Sequence, residues 1–122
     1  MRYLYISIFT VIILSFSSCK GSPYHFQKDG IEFQVMGDKI IVTNQEYGNL
    51  YYFIINRSEL ASIFWVPRSA DDNKIQPLQY KDFLLEEILG YTESMYEVSF
   101  FYWRSGNPEP GEAIHVVLEL KK

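Results

Sequence analysis

The chain is poor in the side chains that carry chemistry. Its 122 residues include a single cysteine, Cys19, and only two histidines, His25 and His115. One cysteine excludes a disulfide within the chain. HExxH, CxxC and GxSxG motifs are all absent, which removes the local signatures of zinc, redox and serine-nucleophile chemistry. Neither histidine has a cysteine or carboxylate at metal-ligand spacing, so both are expected to be structural or solvated. Asp71-Asp72-Asn73 lacks the alternating ligand positions and distant glutamate of a calcium loop and reads as a solvated turn. Glu86-Glu87 and Glu97/Glu119 have the composition of paired glycosidase carboxylates, but no cleft-forming insert accompanies them. Basic side chains are also scarce, 11 against 15 acidic ones, which argues against nucleic acid and anionic lipid surfaces. The expectation is a non-enzyme with no catalytic residues, no metal and no cofactor.

What the chain does have begins at its N-terminal end. Arg2 supplies a positive start. Leu4, Ile6, Ile8, Phe9, Val11, Ile12, Ile13, Leu14 and Phe16 form an apolar stretch, and Ser15, Ser17 and Ser18 lead into Cys19. The run is interrupted by Ser7 and Thr10 and falls short of the roughly twenty apolar residues of a spanning helix. Its close, Phe16-Ser17-Ser18-Cys19, resembles the signal peptide of bacterial lipoproteins, with Phe16 where that family usually has Leu, Val or Ile. The resemblance covers residues 1–19. It implies a signal over 1–18, lipidation of Cys19, a tether within 19–23 and a single domain over 24–122. An ordinary secretory cut after Ser17 and an uncleaved anchor are the other readings.

Lipidation would consume the only thiol, and several acyl chains suffice for stable anchoring where one is marginal. Lys20-Gly21-Ser22-Pro23 would then reach at most about 14 Å. The resemblance places the chain in a bacterial cell envelope. The absence of an acidic run after Cys19 tilts it toward the periplasmic face.

The remainder alternates like a β-protein. Asp29-Gly30 is a hairpin signal between Tyr24–Lys28 and Ile31–Met36, because both positions of a type I′ turn need positive φ. Ile31, Phe33 and Val35 share one face, and Gly37-Asp38 turns the chain into Lys39–Thr43. Leu50–Ile55 is apolar throughout, as in a central strand covered on both faces. Ala61–Val66 is a further short strand candidate ended by Pro67, and Pro77 makes 75–80 an edge or irregular segment. Asp82–Leu89 reads as a short helix, with i,i+4 pairs Leu84/Ile88 and Leu85/Leu89 and Gly90 as its cap. Tyr96–Trp103 and Ile114–Lys121 form a hairpin. A register pairing Glu97 with Lys121 is preferred over one that sets Glu97 against Glu119.

These elements predict an antiparallel β-sandwich with one short helix near 82–89; an open sheet or barrel with one packed helix is the alternative. Met95–Phe100, in which a tyrosine begins an alternating run, faintly resembles the penultimate strand of immunoglobulin-like and fibronectin type III domains.

Aromatics are the surplus, at 17% of residues. Most belong in a core that no disulfide supports. Phe101 and Trp103 fall on the second face of their strand, with Trp65, Tyr51 and Phe53 as expected neighbours. Covered by another layer, the five are structure; left open, they are a binding patch for a protein or a glycan. The expectation is a tethered, non-catalytic module that binds a protein partner, an immunity or inhibitor protein being the specific form. A glycan-binding accessory lipoprotein is the alternative.

Overall fold

A computed structural model describes residues 24–120. The expected signal, Cys19 and the tether lie outside the described residues. Eight strands run in order: β1 (Tyr24–Lys28), β2 (Ile31–Met36), β3 (Lys39–Asn44), β4 (Leu50–Asn56), β5 (Lys74–Ile75), β6 (Tyr80–Leu84), β7 (Glu97–Trp103) and β8 (Ile114–Glu119). They form two four-stranded antiparallel sheets, β1-β2-β3-β6 and β5-β4-β7-β8, packed as a sandwich. The first begins as a three-strand meander. Its order therefore differs from the ABED and CFG sheets of an immunoglobulin constant domain.

The turn chemistry explains the meander. Asp29 and Gly30 sit at φ 51 and 75, the paired positive values that a two-residue hairpin needs. In β2 and β3, Ile31, Phe33, Val35, Ile40 and Val42 all point inward and are buried, while the residues between them are half-exposed. Phe100 on β7 is the hub of the core. It is fully buried, meets Phe33 edge-on at 5.3 Å, stacks on Tyr52 at 5.8 Å and touches Phe83 at 6.3 Å. Rings offset or edge-on like these contribute about 0.5–1.5 kcal/mol per pair beyond the area they bury.

Two buried asparagines hold the crossovers between sheets. Asn44, at the end of β3, donates from Nδ2 toward the carbonyls of Gly48 (2.8 Å), Ile75 (3.0 Å) and Gln76 (3.2 Å). Its Oδ1 accepts from Arg104 Nη1 at 3.0 Å and from the Glu46 N–H at 3.2 Å. Asn56, at the end of β4, donates to the Gly90 carbonyl at 2.8 Å and accepts from the Ser58 N–H at 3.1 Å. A buried amide left unpaired costs about 1–3 kcal/mol, so these bonds decide where both strands end.

Three local expectations are corrected. Asp82–Leu89 is not a helix: Tyr80–Leu84 pairs with β3, and only Leu85–Glu87 forms a single 3-10 turn. Strand pairing seats Phe83 opposite Ile40, with Phe83 nearly buried in the core, which outweighs two i,i+4 contacts on a helix. Gly90 does take positive φ, at 79, but as the residue whose carbonyl Asn56 holds. Ala61–Val66 is not a strand. Arg57–Ser62 forms a 3-10 turn and the chain from Ile63 runs extended without a strand partner.

The third correction is the C-terminal register. Glu97 lies opposite Glu119, not Lys121. The like-charge cost is relieved from the side, because Arg57 Nη1 donates to Glu97 Oε1 at 3.1 Å. Tyr96, just before β7, is exposed.

Candidate functional site

The outer face of β4, β7 and β8 carries the aromatic surplus. Alternation along β4 turns Tyr51 and Phe53 outward, and alternation along β7 does the same for Ser99, Phe101 and Trp103. The register then aligns Tyr51 with Trp103, and Phe53 with Phe101 and His115. All five aromatic residues expected to neighbour one another do so.

Trp65 completes the group from above. After the 3-10 turn the chain doubles back across this face, with Trp65 and Pro67 turned inward and Phe64 and Val66 outward. The Trp65 ring lies 4.5 Å from Phe53, 4.6 Å from Phe101 and 6.4 Å from Trp103. Tyr51 stacks on Trp103 at 6.5 Å. Phe101 and Trp103 keep only 9% and 6% of their surface, so they are the floor of a second small apolar layer.

Polar bonds latch this cover in place. Trp103 Nε1 donates to Ser69 Oγ at 2.9 Å, and the Ser69 N–H donates to Asn107 Oδ1 at 2.8 Å. Ser69 Oγ also donates to the Gly106 carbonyl, which ties the cover to the β7–β8 connection. Below it, Asn73 Nδ2 donates to the carbonyls of Arg68 (2.7 Å) and Tyr52 (3.2 Å). The expected solvated turn at Asp71–Asn73 is a 3-10 turn whose Asn73 does this bracing, while Asp71 accepts from Lys74 at 3.1 Å.

Both histidines sit in strands, as expected. His25 on β1 lies 3.1 Å from Glu32 Oε2. His115 stacks on Phe101 at 4.3 Å and its Nε2 meets Ser99 Oγ at 2.8 Å. Burial, and secondarily the charge of Arg57, holds His115 below the ordinary histidine range. Among the described residues no group of three or more His, Cys, Asp or Glu is placed to hold a metal.

The outward side of the cover carries apolar side chains outside the expected group of five. Phe64 is 91% exposed, with Val66 (53%) and Ile63 (36%) beside it. The signal was present in the alternation of Ile63-Phe64-Trp65-Val66. Once Trp65 is committed inward, its neighbours must face solvent.

Tyr102, on the inner face of β7, donates its hydroxyl to Asp29 Oδ2 at 2.5 Å, joining the two sheets. Burial first, then this bond and the Asp29 charge, hold its ionisation above the usual tyrosine value; Arg104 opposes them.

Comparisons with protein-family models, with curated proteins and with solved structures return no match for this chain.

Proposed function

We propose that the chain is a lipid-anchored, non-catalytic protein-binding module of a bacterial cell envelope, facing the periplasm, with Cys19 as the lipidated residue. The observation that carries the binding reading is Phe64, a phenylalanine 91% exposed on a latched, non-helical segment and flanked by two further apolar side chains. A large apolar ring turned out into water is a group that a partner's pocket can bury, since partners bind through a few such side chains.

The covered rings favour a protein over a glycan. Sugar stacking needs open ring faces, and Phe101 and Trp103 spend theirs on Trp65, His115 and Tyr51. The chain's acidity fits a basic partner, and an immunity or inhibitor protein that blocks a basic toxin or hydrolase is the specific form of the reading.

Affinity capture from solubilised envelope membranes tests it, using the wild-type chain and Phe64→Asp as baits. Wild type should retain a stoichiometric protein that Phe64→Asp loses, while both melt within a few degrees of each other, as expected for an exposed site. No stoichiometric partner with wild type, or equal retention by both, contradicts the reading.

A further inference from the structure

Each sheet has two edges, and three of the four are blunted or short. β5 is two residues long, β6 carries Lys81 and Asp82, and β1 carries His25 and Lys28. β8 is different. Ile114-His115-Val116-Val117-Leu118-Glu119 is a six-residue, β-branched strand with no proline, glycine or lysine; the lysines come after it in sequence, at Lys121 and Lys122. Proteins normally protect such an edge, because its free N–H and C=O groups form a template for another strand.

The bond pattern shows which groups are free. The Leu120 N–H donates to the Tyr96 carbonyl at 2.8 Å, so even-numbered residues of this segment turn their backbone groups toward β7. The N–H and C=O of His115, Val117 and Glu119 therefore point away from the sheet. Among the described residues nothing bonds to them.

From this we infer that β8 pairs with β8 of a second copy, antiparallel, about a two-fold axis through Val117. In this register Val117 faces Val117 of the second copy, and His115 faces Glu119 twice by symmetry. All three outward residues of each copy then find hydrogen-bond partners, and Val116 lies opposite Leu118 on the core side. Centring the axis on Val116 pairs Glu119 with Ala113 and loses both complementary contacts. Centring it on Glu119 sets like charges against each other.

The result is one continuous eight-stranded sheet. Its axis is normal to the sheets, so both copies keep their β1-β2-β3-β6 faces on one side and their Phe64 surfaces on the other. The self-pairing stands whether or not Phe64 has a partner.

Cysteine cross-linking of the full chain in membranes under mild oxidation tests the register. Val117→Cys should form a disulfide-linked dimer efficiently, because facing residues in such a pair have Cα atoms about 5.5 Å apart, within disulfide range. His115→Cys or Glu119→Cys alone should stay near the wild-type background. Each of those residues lies about 14 Å from its own counterpart along the strands. Mixing those two variants should restore the dimer. A folded Val117→Cys protein that stays uncross-linked, or equal cross-linking at all three positions, overturns the proposal. So does a mixture of His115→Cys and Glu119→Cys that gives no more dimer than either alone.

Discussion

The two sheets bury their inner faces alike and treat their outer faces differently. On β2 and β3 every second residue is buried and those between are half-exposed. On β7 every residue from Val98 to Trp103 is buried. The difference comes from one extended segment, 63–70, which has no secondary structure of its own and packs Trp65 onto the second sheet. A sheet face can thus be closed without a third layer of helices or strands, provided one large ring supplies the area and polar latches hold the backbone. The cover also turns a residue to solvent for each one it turns in. That is why Phe64, 91% exposed, adjoins Trp65, whose ring packs on Phe53 and Phe101.

Three variants would break or sharpen this contrast. Phe100→Ala, which empties the centre of the shared core, should destabilise the domain by about 3–5 kcal/mol. Against a total stability of about 5–15 kcal/mol for a typical domain, urea denaturation should show a chain close to unfolding. Trp65→Ala should cost about 2 kcal/mol, less than a fully buried tryptophan, because the ring is only half-buried and the segment carrying it can relax. It should also admit a hydrophobic dye to the floor formed by Phe101 and Trp103. A loss as large as that of Phe100→Ala would mean the two layers are one core; no loss would mean the cover does not pack.

The smallest effect lies at the margin of the cover. His115 is held below its ordinary value, so the unfolded chain takes up a proton first as pH falls. Stability is then unaffected well above pH 6.5 and declines as pH drops through the interval between about 6.5 and the lowered folded value. His115→Gln should flatten that part of a melting-temperature profile between pH 7.5 and 5.5. An unchanged slope would place the titration elsewhere.

What could be read from the chain followed from how local the cause was. Asp29-Gly30 announces its own turn, and Ile31, Phe33 and Val35 announce their own face, because period and φ preference act over two to six residues. The sandwich followed from adding such pieces. The helix expected at 82–89 failed because Phe83 has a place opposite Ile40 on a strand distant in sequence. The hairpin register failed because the charge that offsets Glu97 comes from Arg57, forty residues away and off the hairpin. The aromatic neighbours were legible as residues of one face, yet whether they were covered was not. That depended on how a proline-terminated segment, Ile63–Pro67, crosses the sheet. Asn44 and Asn56 carried no signal at all, since a strand-ending asparagine looks like any turn residue until its side-chain bonds are seen.

The chain has two tryptophans, so closure of the outer face can be read directly by fluorescence. Trp65→Phe keeps an aromatic cover and leaves Trp103 as the sole indole, with its Nε1 bonded to Ser69 and 6% of its surface exposed. With the face covered, Trp103 emission should be blue-shifted and resist acrylamide quenching, and it should shift toward red, readily quenched emission when residue 65 is made alanine in a Trp103-only comparison. Water-like emission from Trp103 in the Trp65→Phe protein, with the fold otherwise intact, would show the outer face to be open and contradict it.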